Sequence, residues 1–251
     1  VDGRWVFGNA NNTPRIARID LKTFKTAEII ELPNSGGNHS SPFITENTEY
    51  VVAGTRFGVP GDYENGDVPI STYKKNFKAH ISFIKVDKET GTMDLSFQIR
   101  LPGVNFDLSH AGKGKSHGWF FFTCYNSELA NTLLEVNASQ NDKDFIMAVN
   151  WKKAEEYIKA GKGKMEKAKY AHNTWDDETH TGKSVMKDQV LVLDAEAMKD
   201  ILYLMPCPKS PHGCDIDPTG EYIVGSGKLA ALIPVFSFDK MLKAIANKDF
   251  E

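Results

Sequence analysis

Two histidines carry most of the chemistry this sequence could perform. His39 lies in Pro33-Asn34-Ser35-Gly36-Gly37-Asn38-His39-Ser40-Ser41, and His212 in Cys207-Pro208-Lys209-Ser210-Pro211-His212-Gly213-Cys214. An imidazole exchanges a proton near neutral pH and is a common ligand of transition metals. Pro208 and Pro211 stiffen the second segment and withhold backbone donors, which suits a mount for one ligand. Taken alone, a single loop histidine is more often a hydrogen-bonded loop residue. Two histidines at equivalent loops of a repeating fold would instead converge on its axis, and a radial architecture builds a metal site in that way.

A second candidate is Thr123-Cys124-Tyr125-Asn126-Ser127-Glu128. The Glu128 carboxylate and neighbouring oxygen donors at a strand end suit a hard cation such as calcium, with a plain strand-end turn as the alternative. His172, Asp176, Asp177, Glu178 and His180 crowd one insertion, where ordinary polar loop composition competes with a surface metal site. His80 begins a strand and His117 replaces a turn residue, so both take structural roles, while His110 is an unassigned loop residue. No Ser/His/Asp order with a nucleophile elbow, phosphate-cradling glycine loop or paired-carboxylate motif accompanies them.

The elements that must position these residues recur. A turn followed by a short apolar strand occurs at Asp2 to Gly8, at Glu46 to Gly54, at Ser116 to Phe122 and at Pro218 to Gly225. Each is followed by an apolar strand, an acidic turn and another strand: Arg15 to Leu32, His80 to Leu101, Phe145 to Trp151 with its first strand only, Gln189 to Leu204, and a beginning at Val235 to Leu242. The first two copies lie about 45 residues apart, within the range of a propeller blade. Insertions at Phe57 to Lys75 and Asn150 to Lys187 spread the later copies. Trp151 to Lys169 reads as a short amphipathic helix and then a Gly/Lys-rich loop.

A four-stranded meander cannot bury both faces alone, so stacking around an axis is the natural solution. The expected fold is all-β: a partial β-propeller of roughly four blades over residues 1–251, with small helical and loop insertions. A single β-sandwich is the alternative. The chain begins at a turn and ends after an amphipathic segment, which reads as an internal piece of a longer protein.

Composition narrows the function classes. Lys+Arg 30 against Asp+Glu 33 leaves a net charge of -3, too balanced to suggest nucleic acid or an anionic membrane as partner. No apolar run approaches the roughly 18 residues needed to span a bilayer, so membrane insertion is not expected. The three cysteines, Cys124, Cys207 and Cys214, form neither a zinc pattern nor an even disulfide set.

The motifs Asp2-Gly3-Arg4, Arg15-Ile16-Ala17-Arg18-Ile19-Asp20, Thr123 to Glu128, Pro208 to Cys214 and Gly227-Lys228-Leu229 occur in an order that resembles nitrous oxide reductase. The resemblance spans essentially the whole chain, covers that family's N-terminal propeller domain and suggests its atypical branch. It implies a periplasmic copper enzyme that reduces nitrous oxide to dinitrogen and water. It further implies a seven-bladed propeller holding a tetranuclear copper–sulfide cluster on histidines, a dinuclear copper centre in a C-terminal cupredoxin domain absent from this chain, and a homodimer. The electron donor would be a periplasmic c-type cytochrome or cupredoxin.

By this resemblance His39 and His212 match two cluster histidines. A histidine pair would lie upstream of Val1, and three more beyond Glu251. Calcium would lie on Tyr125, Glu128 and Asp144. Ser210 stands where the family has an asparagine that contacts calcium, so this position departs from the pattern. The rival reading is a non-catalytic propeller that binds a protein or small ligand, since one architecture serves many functions.

Overall fold

Short runs of aromatic and β-branched residues between turn formers become strands buried on both faces. Trp119–Tyr125 (WFFFTCY) and Tyr50–Gly54 (YVVAG) are buried at every position. The computed structural model describes residues 3–11, 13–40, 43–56, 58–60, 72–125, 144–170, 184–185 and 187–250. Glu128 and the cluster from His172 to His180 lie outside them.

Four sheets follow one another along the chain. The first contains β1 (Trp5–Asn9), β2 (Arg15–Asp20) and β3 (Lys25–Glu31) as an antiparallel meander. The second contains β4 (Phe43–Ile44), β5 (Tyr50–Gly54), β7 (Phe77–Val86) and β8 (Met93–Pro102), with β6 (Val59–Pro60) paired to Phe77 and Lys78 at the start of β7. The third contains β9 (Asn105–Ala111), β10 (Trp119–Tyr125) and β11 (Asp144–Asn150). The strands added later are β12 (Lys164–Lys167), β13 (Ser184–Val185), β14 (Gln189–Asp194) and β15 (Leu202–Cys207). β16 (Pro211–Ile216), β17 (Tyr222–Gly227) and β18 (Val235–Ser237) make the fourth sheet.

Three cores separate the four sheets, and this decides the architecture. Val51 and Ala53 of β5 join Ile16 and Ile30 of the first sheet, while Tyr50 and Val52 face Phe120 and Phe122 of the third. On β10, Phe120, Phe122 and Cys124 enter that second core, whereas Trp119 and Phe121 enter a third with Ile216, Ile223 and Phe238. A sandwich of two sheets has a single core between them. Sheets serving a different core on each face are blades, so the fold is a partial propeller. Each fully buried phenylalanine in these cores stabilises the fold by roughly 1.5–3 kcal/mol.

The blades also touch at their turns. Asp217-Pro218-Thr219-Gly220 forms the expected turn, closed by the Gly220 amide donating to the Asp217 carbonyl at 3.0 Å. Lys115 N–H donates to the Thr219 carbonyl at 3.0 Å, and Gly114 N–H to the Glu46 carboxylate at 3.0 Å. Turns of three consecutive sheets are thus joined.

Several expectations are corrected. Gln189 to Leu204 is not one meander: β14 pairs in parallel with β8 of the second sheet, while β15 pairs with β11 of the third. Val235 to Leu242 starts as a strand, but from Phe238 the chain is helical to Asn247, with the Ser237 hydroxyl capping the Lys240 amide at 3.2 Å. The expected helix at Trp151 runs to Lys159, but the loop after it contains β12. His80 lies within β7 rather than at its start, and His110 is in β9 rather than a loop.

Candidate functional site

β4, β9 and β16 are the first strands of their sheets, and β9 packs beside both of the others. Residues on or just before these strands therefore share one region. His39 lies on the segment entering β4. His212 lies in β16, so its segment is a strand rather than the loop expected from Pro208 and Pro211. The register between β16 and β17 shifts from Pro211 to Cys214, which opens the ladder at His212.

Hydrogen bonds to main chain seat the His39 segment. Asn9 Nδ2 donates to the carbonyls of Asn38 and His39, and Asn38 N–H donates to Ala10. Arg56 N–H donates to the Gly37 carbonyl at 2.7 Å. Beyond the histidine, Ser40 Oγ accepts from Gly54 N–H at 2.5 Å and donates to its carbonyl at 2.9 Å. His212 is held from the other side. The Thr123 hydroxyl accepts from Leu108 N–H and reaches the carbonyls of His212 and Leu108, at 2.9 and 3.0 Å, donating to one at a time. Gly213 N–H donates to Ser226 Oγ at 2.8 Å.

The two imidazoles come together as the repeat requires. Their ring centroids are 6.4 Å apart with the planes inclined by 49°. The side chains are 28% and 47% exposed, so neither is a packing histidine between blades. Between them sits a residue that sequence reasoning passed over, Asp107 of β9, which is 1% exposed. Its Oδ1 is 2.5 Å from His39 Nδ1 and 3.9 Å from His212 Nε2, and Lys228 Nζ is 3.9 Å from its Oδ2. Neither carboxylate oxygen has a hydrogen bond of good geometry. A buried carboxylate among two imidazoles and an ammonium is a charged hub, costly to bury without such company. With Nδ1 of His39 turned to Asp107, its Nε2 is the nitrogen left for a ligand. A cavity of about 400 Å³ between β9 and the fourth sheet is lined in part by Phe43, Leu108, Gly213, Asp215 and Ser226, and neither imidazole is part of its lining.

The other described histidines are occupied elsewhere. Burial, aided by Arg100, pushes His80 down to about 3, so it is a neutral core residue. Burial also lowers His110, whose Nδ1 donates to the Ala111 carbonyl at 2.8 Å. His117 lies between the carboxylates of Glu46 and Glu49, each at 3.2 Å. The three cysteines are buried, and desolvation raises their thiols, Cys207 to about 11, so they remain protonated. Among the described residues no three His, Cys, Asp or Glu side chains are arranged to hold a metal ion by themselves.

The oxygen-donor candidates are reached only in part. Tyr125 ends β10 and Asp144 begins β11, one step past the Cys124–Phe145 pair, and both are buried. Asp144 Oδ2 accepts from Ser210 N–H at 2.6 Å, which ties it to the segment entering His212. No helix among the described residues is long and apolar enough to cross a membrane.

No protein-family model matches the chain. Over 252 aligned positions it is 28% identical to the nitrous-oxide reductase of Stutzerimonas stutzeri, covering 98% of this chain and 35% of that protein. It is also 28% identical over 243 positions to the nitrous-oxide reductase of Pseudomonas fluorescens, covering 96% and 34%. The chain thus spans about a third of the length of these relatives. Among solved structures, Kuenenia stuttgartiensis hydrazine synthase superposes with a TM-score of 0.53 over 94% of this chain and 56% of its own, at 11% identity. That last likeness concerns fold alone.

Proposed function

We propose, proceeding from the resemblance to nitrous-oxide reductases, that the chain is part of a copper-dependent nitrous oxide reductase and that His39 and His212 are cluster ligands. The observation that carries this reading is the placement of two sequence-distant imidazoles beside one buried carboxylate. The donor set fits: imidazole nitrogen suits copper, and the close-set but poorly bonded oxygens of Asp107 mark a place built around further partners.

When bound, a tetranuclear copper–sulfide cluster supplies the electrons that open the nitrogen–oxygen bond of nitrous oxide. The chain's own residues have other tasks. Asp107 keeps the proton of His39 on Nδ1 and so aims the Nε2 lone pair away from itself. His212 contributes a second imidazole from the fourth sheet, across β9 from the His39 segment. Lys228 carries protons at Nζ beside this carboxylate, a source for the oxygen that leaves as water. Tyr125 and Asp144, with Glu128 as the further ligand expected from the sequence, would hold calcium, and the first two would do so where β10 and β11 meet the His212 segment, stiffening that mount.

The dinuclear copper centre, its cupredoxin domain, the homodimer, the periplasmic setting and a cytochrome c or cupredoxin donor belong to this proposal for the whole protein. The test is copper stoichiometry in the full-length protein. His39→Ala or His212→Ala should remove the tetranuclear copper and leave the dinuclear copper in place. A wild-type protein that takes up no copper beyond a dinuclear centre would refute the reading and favour a binding propeller.

A further inference from the structure

The chain between β11 and β14 makes a detour that the compact meander does not need. After the helix Trp151–Lys159 it lays β12 along the outer side of β14 in the second sheet, and β13 then pairs in parallel with β3 of the first. Only after β14 returns to the second sheet does β15 complete the third. One insertion therefore fastens the rims of two blades, the first and the second. An outer edge strand such as β3 would otherwise present unpaired backbone groups.

Its contacts fall on the segment that leads to His39. β13 pairs with Ile29 and Ile30, and four residues beyond them Asn34 N–H donates to the Lys169 carbonyl at 2.7 Å. Asn34 has a left-handed backbone (φ 59°), and its side chain donates to Gln98 Oε1 at 3.0 Å. Gln98 Nε2 in turn contacts the Pro33 carbonyl at 2.8 Å and Ser82 Oγ at 2.9 Å. Every residue from Ile30 to Ser35 is buried although the segment lies at a blade rim. The insertion is pinned close to this contact: Tyr170 Oη accepts from Lys187 N–H at 2.8 Å and lies 3.1 Å from its carbonyl. Ala168 N–H donates to Asp188 at 2.9 Å.

We propose that the segment from Lys164 to Tyr170 is a positioning strap for His39, acting through the Lys169 carbonyl on Asn34 and hence on the loop Pro33 to His39. This rests on the reading of His39 as a metal ligand only for its functional consequence. The strap fixes where the loop starts, and the bonds from Asn9 and Arg56 fix where it ends. The strap lies on the rim and touches neither imidazole, so its effect on a ligand is indirect.

The test uses the full-length protein with Lys164 to Tyr170 replaced by a Gly-Ser linker of equal length, and Tyr170→Ala as a gentler second variant. Hydrogen exchange of peptides covering residues 33–40 is read in metal-free protein, with peptides from β10 as reference. Copper per chain and the visible absorption spectrum are read after loading. The strap reading expects about tenfold or faster exchange at 33–40, unchanged exchange in β10, and lowered copper retention. Unchanged exchange at 33–40 in both variants overturns it. Faster exchange at 33–40 in a protein whose wild type binds no cluster copper leaves the strap standing and refutes the copper assignment instead.

Discussion

Nδ1 of His39 lies 2.5 Å from Oδ1 of Asp107, and the two residues belong to different blades. The orientation of the imidazole is therefore set by how neighbouring sheets pack, not by its own loop alone. Asp107→Asn keeps the shape of the side chain but removes its charge and offers an N–H to Nδ1, favouring the other tautomer. In the full-length protein this substitution should weaken cluster copper retention by about 10–100-fold, as losses of a ligand's supporting group do. Metal analysis after dialysis against a mild chelator measures it. Retention equal to wild type would remove Asp107 from the site.

Two glycines with the same backbone strain separate conformation from contact. Gly161 and Gly220 have φ of 71° and 76°. A Cβ on Gly161 meets nothing within 4 Å, but one on Gly220 would lie 1.7 Å from the Lys113 carbonyl of the neighbouring blade. Gly161→Ala should cost about 1 kcal/mol for the left-handed backbone alone. Gly220→Ala should cost at least 3 kcal/mol, roughly the range of severe substitutions, because backbone must move. Denaturant unfolding of both variants gives the difference, and equal losses would show that the turns do not interlock.

Acid should destabilise the second sheet through His80. Its folded value, held down to about 3 mainly by burial, lies below the ordinary 6.5. The unfolded chain therefore binds a proton that the folded chain refuses between these values. Stability from this group is complete above about pH 6.5 and falls as pH drops towards 3. The difference in thermal midpoint between wild type and His80→Gln should be constant above neutrality and should shrink as the solution is acidified. A constant difference down to pH 4 would contradict a buried neutral imidazole.

Asp144 offers a check on the calcium assignment. Its Oδ2 accepts the Ser210 amide, so the charge can be removed while an acceptor is kept. If calcium binds there, adding it to the full-length protein raises the melting temperature, and Asp144→Asn abolishes that rise. A calcium-dependent rise that survives in the variant would place the cation elsewhere.

The legible part of this fold was local. Turn residues and apolar runs located β1, β5, β10 and β17, and the repeat brought His39 and His212 to one region. What the sequence concealed was long-range or isolated. The exchange of β14 and β15 between sheets rests on pairings across the insertion, and no local pattern encodes them. Phe238–Asn247 has a helical apolar period and a serine cap, but the repeat expectation favoured a strand there. Asp107 was hidden because its companions His39, His212 and Lys228 come from three other segments. The available signal was an acidic residue inside a strand otherwise made for burial.

The alternation on β10 has a consequence for how such a chain can vary. Phe120 and Phe122 serve one core while Trp119 and Phe121 serve the next. Losing one residue within this strand would exchange the occupants of two cores at once. Central strands are therefore closed to changes in length, and growth is confined to their ends. The detour between β11 and β14 enters at such an end: added chain becomes rim, and the register of the central strands is left untouched.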